Sequence, residues 1–263
     1  MGTYRQLTRR KFIGASVVGI SGIVKAQIPF VPGGLFPSPS NPVQFPLSDP
    51  SLLGWWKADS LALVDGASVA SWNDSGTHGY TMTQATGAKQ PIYHTGIKNG
   101  LPAVLFTSAS SQSLSSSMPA DTKPFTVAAV IESSNFSNQS MGILSSTGDG
   151  GLHWRNTGSS QVVDKQDIAN IATDNPTLID NHWFIIIFTY DSSGNFAFFT
   201  NNAAGTAGTN NVSFTAATTS DMGGIPFLNI FYFNGYIAEI LKFSSVVSTL
   251  PINTYLNGKW AVY

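Results

Sequence analysis

From residue 52 onward the chain is cut into short apolar or alternating runs, most of them bounded by Gly, Asn, Asp or Pro. The runs are Leu52–Ala58, Ala103–Phe106, Phe125–Ile131, Gly142–Ser146, Gly151–Arg155, Trp183–Tyr190, Phe196–Thr200, Phe227–Phe233 and Tyr236–Phe243. Segments of this length and punctuation form strands joined by turns, not a helical bundle. In Phe125–Ile131 the two-residue period puts Phe125, Val127, Ala129 and Ile131 on one face. His182–Tyr190 is apolar on both faces, the pattern of a central strand. The loop after Tyr190, Asp191-Ser-Ser-Gly-Asn195, predicts a hairpin, and Asn234-Gly235 predicts a second. Helix is expected once, over 250–260. There Ser248 is a candidate cap, Pro251 suits a first turn, and Ile252, Tyr255, Leu256 and Trp260 form one apolar stripe.

Composition narrows the function. Charged residues make up only 10% of the 263, and there is no cysteine. Disulfides, zinc-thiolate sites and a cysteine nucleophile are thereby excluded. Five of the 13 basic residues (Arg5, Arg9, Arg10, Lys11, Lys25) precede residue 27, and all 14 acidic residues follow it. The body is therefore acidic and has no basic stripe for phosphates, which argues against a nucleic-acid partner.

The first fifty residues differ from the rest. Residues 8–13 read Thr-Arg-Arg-Lys-Phe-Ile, Phe12 to Val24 carries no charge, and Val24-Lys25-Ala26 ends in small residues. Residues 1–26 read as a basic-apolar arm of the twin-arginine export type, with no membrane span in the mature chain. The alternative is an uncleaved attachment arm. Residues 27–50 hold seven of the 14 prolines and read as a semi-rigid spacer. Its Phe30, Val31, Leu35, Phe36, Phe45 and Leu47 either pack back on the body or dock on a partner. Residues 51–263 remain as one domain.

Several segments of that domain have a familiar form. They are Leu53-Gly-Trp-Trp-Lys-Ala-Asp-Ser60, Val69-Ala-Ser-Trp-Asn-Asp-Ser75, Lys89-Gln-Pro-Ile-Tyr93, Asn99-Gly-Leu-Pro-Ala-Val104 with Phe106, and Gln112-Ser-Leu-Ser115. Near the end come Phe233-Asn-Gly-Tyr-Ile-Ala-Glu-Ile-Leu241 and Tyr255-Leu256 with Lys259-Trp260. Over 53–116 and 233–260 the chain resembles bacterial and phage laminin G-like domains of the concanavalin A-like superfamily. It departs from them at Thr107, where Asp is common, and at the shortened turn Asp74-Ser75-Gly76. The resemblance implies an all-β jelly-roll β-sandwich of two antiparallel sheets, with binding or adhesion commoner than catalysis and calcium in only some members.

The chemistry available fits that implication. Retaining glycoside hydrolysis needs two carboxyl groups about 5 Å apart. The chain has two glutamates, Glu132 and Glu239, neither in a Glu-x-Asp-x-x-Glu motif. On a regular pleat Glu239 shares a face with Ile237 and Leu241, as a buried tether for the closing strand rather than a catalytic acid. His78, His94, His153 and His182 lack metal-ligand spacing. No cofactor is expected, although Asp65, Asp74 and Asp149 lie in loops where carboxylates can ligate calcium. Trp55 or Trp56, Trp72, Trp183 and Trp260 sit in apolar patterns that suit a core. Trp154 stands apart in Gly148-Asp-Gly-Gly-Leu-His-Trp-Arg-Asn156, among glycines and polar groups. Trp154 with Asn156, supported by Asp149, is the expected glycan contact; the competing reading is a half-buried strand aromatic. The function expected is non-catalytic recognition of a glycan or cell-surface polysaccharide, outside the cytoplasm. The alternative is a virion component that binds capsid or tail proteins through the N-terminal arm.

Overall fold

The computed structural model describes residues 44–119, 123–136, 141–146, 150–156, 161–165, 169–172, 178–205, 207–209, 219–226 and 229–263; for 146 and 150–172 it describes backbone alone. The strands are β1 (Leu52–Lys57), β2 (Ser71–Trp72), β3 (Met82–Thr83), β4 (Ile92–Lys98), β5 (Leu101–Phe106), β6 (Leu114–Ser116), β7 (Phe125–Ser133), β8 (Met141–Ser146) and β9 (Gly150–Asn156). They continue with β10 (Gln161–Lys165), β11 (Ala169–Ala172), β12 (His182–Tyr190), β13 (Asn195–Thr200), β14 (Ala203–Ala204), β15 (Gly208–Thr209), β16 (Ser220–Met222) and β17 (Gly235–Phe243). One helix, α1 (Thr249–Trp260), follows.

Two antiparallel sheets result. The first runs β14-β13-β12-β7-β17-β5-β4, with β1 beside the second half of β17 and β15 beside β13. The second runs β11-β10-β9-β8-β16-β6-β3-β2. The all-β sandwich with one short C-terminal helix is thus the architecture observed.

The alternation in β7 explains the core. Phe125, Val127, Ala129 and Ile131 point inward together, as the pattern predicts, and join Phe184, Ile186, Phe188 and Tyr190 of β12. Met141, Ile143, Leu144 and Met222 meet them from the second sheet. The opposite face of the first sheet is apolar too. Ala128, Val130, Ile185, Ile187, Leu241 and Phe243 pack under Ile252, Leu256 and Trp260 of α1. That double cover is why β12 reads as apolar on both faces. Ser248 makes no side-chain capping bond, contrary to expectation; the stripe on α1, not its cap, holds the helix down.

Two local expectations fail. Asn234-Gly235 does not close a hairpin, and residues 231–234 are not a strand. Instead this segment docks on the second sheet, with Gly142 N–H donating to the Phe231 carbonyl at 2.6 Å and Phe233 N–H to the Gly223 carbonyl at 2.9 Å. It then crosses to the first sheet as β17. Glu239 does not share a face with Ile237 either. The pairing of β17 with β7 slips between Ile237 and Glu239, so one extra residue, Ala238, is accommodated as a β-bulge. Ile237 lies in the inner core, while Ala238 and Leu241 lie in the outer one.

Residues at the end of the expected spacer lie on this body. Phe45 stacks on Phe243 at 5.9 Å and meets Tyr255 edge-on at 5.9 Å. The remaining apolar residues of that spacer, and the arm before it, are outside the described residues.

Candidate functional site

The bulge turns Glu239 under α1, and the helix closes over it. Its side chain is fully buried. Trp55 Nε1 donates to Oε1 at 2.5 Å and the Tyr255 hydroxyl to the same oxygen at 2.7 Å. Lys259 Nζ and Trp260 Nε1 each donate to Oε2 at 2.7 Å. Lys259 also reaches Asp59 Oδ1 at 2.7 Å. Four donors saturate one carboxylate, and one is a cation, which is what a buried charge requires. Burial, followed by the Glu239 charge, holds the Tyr255 phenol far above its usual range. Glu239 thus clamps β1 and α1 to β17 and has no lone pair left for a substrate.

Glu132 is placed differently. Strand register lines up one row across the outer face of the first sheet. Trp183 on β12 is opposite Glu132 on β7. Glu132 is opposite Tyr236 on β17, and Tyr236 is opposite Leu105 on β5. Leu105 is opposite Ile92 on β4. All five are half-buried, because they lie beyond the residues covered by Ile252, Leu256 and Trp260. The Trp183 and Tyr236 rings are stacked, with centroids 6.2 Å apart and planes inclined by 26°. His94 meets Tyr236 edge-on at 6.1 Å, and its Nδ1 lies 3.3 Å from Asp65 Oδ1.

Backbone chemistry at two turns sets this row. Gly235, at φ +152°, lies against the Glu132 carbonyl where any Cβ would collide, which brings Tyr236 alongside Glu132. At the other edge Asn181, at φ +59°, donates its N–H to the Ser133 carbonyl at 2.8 Å and starts β12 just ahead of Trp183.

The row has a distinct electrostatic character. Burial, then the charge of Asp180, pushes the Glu132 carboxyl above its usual range, and His182 opposes the shift. Burial, then the charges of Glu132 and Asp65, raises the Tyr236 phenol. The Thr95 N–H, bonded to Asp65 at 2.9 Å, lowers the Asp65 carboxyl, with a smaller contribution from His94. No described group hydrogen-bonds the Glu132 carboxylate. The arrangement offers two ring faces and a half-buried acceptor, which suits a ligand with a flat apolar face and polar hydrogens.

The residues singled out from sequence fall in several places. Trp154 and Asn156 lie on β9 of the second sheet, paired with Met141 and Gln161. Their side chains, and all of Asp149, are outside the described residues. Trp55, Trp56, Trp72 and Trp260 are core, whereas Trp183 is not fully buried and belongs to the exposed row. Asp74 spends its oxygens on the N–H groups of Trp55 (2.8 Å), Gly76 (2.7 Å) and Gly79 (3.0 Å), so it ties a loop together. Asp65 stands with His94 and Thr95. Among the described residues no three acidic or histidine side chains group as metal ligands. The row itself was missed because it is assembled across strands distant in sequence. The one signal was positional: Trp183 and Tyr236 are each the second residue of a strand that follows a polar segment.

This architecture defines the class: a β-sandwich of two antiparallel sheets with a short C-terminal helix. No protein-family model and no curated protein matches the chain. Solved structures do share the fold. The botulinum neurotoxin type G receptor-binding domain superposes with a TM-score of 0.55 at 13% identity, over 80% of this chain and 51% of that one. The serotype D binding domain gives 0.53 at 13% identity over 80% and 51%. The binding domain of botulinum neurotoxin DC, in complex with SialylT, gives 0.50 at 13% over 80% and 52%. The chain spans about half the length of these structures, and at such identity the likeness is one of fold.

Proposed function

We propose that the chain is a non-catalytic recognition domain that binds a glycan on the outer row Trp183–Glu132–Tyr236. The half-exposed aromatic pair flanking a carboxylate with no hydrogen-bond donor among the described residues carries this reading. A sugar ring has a C–H face that stacks on an indole and hydroxyls that donate to a carboxylate. The saturation of Glu239 argues the same way, since it takes that glutamate out of any catalytic pair. The neurotoxin binding domains fit this reading, as does a laminin G-like assignment. Display outside the cytoplasm, led by the twin-arginine-type arm, belongs to the same proposal.

A glycan array probed with the full chain tests it. Trp183→Ala is expected to weaken the strongest signals about tenfold or more, as loss of an aromatic anchor does, while circular dichroism shows the variant still folded. Unchanged binding in that variant would overturn the assignment of this row. Trp154→Ala on the same array tests the site expected from sequence. Retained Trp183 dependence with an unaffected Trp154 variant places recognition on the first sheet.

A further inference from the structure

The row faces an unusually one-sided set of charges. The charges acting on Glu132 are those of Asp180 and His182, and those acting on Tyr236 are Glu132 and Asp65. No lysine or arginine is among them. Three of the described lysines are engaged elsewhere: Lys259 with Glu239 and Asp59, Lys57 over the Trp55 ring at 4.3 Å, and Lys123 over the Tyr190 ring at 5.4 Å. Glu132 sits between Trp183 and Tyr236 in the row, His94 and Asp65 lie on the Tyr236 side, and Glu132 has no donor among the described residues. A half-buried carboxylate with no donor among the described residues keeps lone pairs open to a ligand. They suit a group that supplies both a positive charge and N–H donors.

From this we infer that the Trp183–Glu132–Tyr236 row selects sugars carrying a free amine and rejects sialic and uronic acids. The inference rests on the proposed glycan-binding role of the row and names the class of its ligand. An ammonium on the sugar ring donates to Glu132, and its positive charge is favoured by the negative ring faces of Trp183 and Tyr236. Asp65 and Asp180 extend the negative field on either side, so an acidic sugar meets like charge along the row. An N-acetylated sugar keeps the stacking face and loses the charge, which makes it the informative comparison.

The test is calorimetric titration of the full chain with three probes in neutral buffer, where an aminosugar is still largely protonated. They are a fully deacetylated glucosamine oligomer, the matching N-acetylated oligomer, and sialyllactose. The deacetylated oligomer is expected to bind about tenfold tighter than the acetylated one, the size of one charge-assisted contact. Added salt should erode that preference. Glu132→Gln should abolish the preference, leaving the two oligomers bound equally, and Trp183→Ala should weaken both oligomers. Circular dichroism of each variant establishes that it is folded. Equal binding of the two oligomers, still dependent on Trp183, overturns the amine selectivity and leaves the glycan-binding row standing. Tighter binding of sialyllactose overturns the selectivity in the same way. Binding of no probe, with no hit on the array, overturns both.

Discussion

The chain's two glutamates lie on the same face of neighbouring strands, yet chemically they are opposites. Glu239 is closed in by four donors, so its charge is fully used within the fold. Glu239→Gln removes the charge that Lys259 and two indole N–H groups were arranged around. It should cost about 3 kcal/mol, the scale for breaking one side of a buried charged network, read as a lower urea midpoint. Neither the native protein nor the variant should release reducing ends from laminarin; release that disappears in Glu239→Gln would sink the non-catalytic reading. Glu132 predicts the reverse behaviour. Its folded-state carboxyl is pushed up by burial and by Asp180, so folding disfavours its ionised form. That penalty is absent in acid, where both states are protonated, and appears as pH rises through the unfolded and then the folded pKa. Glu132→Gln cannot ionise, so it should melt higher than the native protein at neutral pH, with the difference vanishing in acid. A destabilised variant at neutral pH would show that the carboxylate has a donor after all.

Elements were legible where one physical pattern dominated. β7 follows a two-residue period over Phe125–Ile131, and the face read from sequence is the inward one; β12 is apolar on both faces, as read, because both are covered. The closing strand also follows that period until Ala238, where the extra residue resets it. Nothing in Ile237-Ala-Glu-Ile-Leu241 marks the slip, because bulge placement is decided by the partner strand, and Glu239's face came out only with the register. Phe227–Phe233 has the composition of a strand, but its far end is consumed in the crossing between sheets, with Phe233 packed on Phe106 at 6.4 Å. The helix was readable from its stripe, since Ile252, Leu256 and Trp260 recur every four residues over an apolar sheet. The stripe and the cap make separable predictions. Trp260→Ala removes a fully buried indole and one Glu239 donor, and should cost about 3–5 kcal/mol. Ser248→Ala should change stability by less than about 0.5 kcal/mol, since no capping bond is lost. Comparable losses in the two variants, measured by chemical denaturation, would show that the cap matters more than the stripe.

At the scale of the molecule, the described residues leave one row of the first sheet half-exposed, and the proposed function depends on where that surface is displayed. A glycan reader acts on surfaces outside the cytoplasm, so the arm should deliver it there. On the proposed reading, the arm's pattern, Arg9-Arg10 followed by Phe12-Ile13 and the uncharged stretch to Val24, serves as an export signal read through its arginine pair. Lysine keeps the charge but lacks arginine's planar fork of donors. Replacing both residues, Arg9→Lys with Arg10→Lys, should therefore block export without altering the net charge of the arm. Cleavage after Ala26 would give a mature chain beginning near Gln27, which intact-mass measurement of native material identifies directly. The virion reading predicts the opposite on both counts. An attachment arm must survive in the assembled particle, and a pair of lysines should serve it about as well as a pair of arginines. A species beginning at Met1 or Gly2 in finished particles, unaffected by the double substitution, would replace export by assembly. It would also move the search for the ligand of the Trp183–Tyr236 row from secreted polysaccharide to the surface of the host cell.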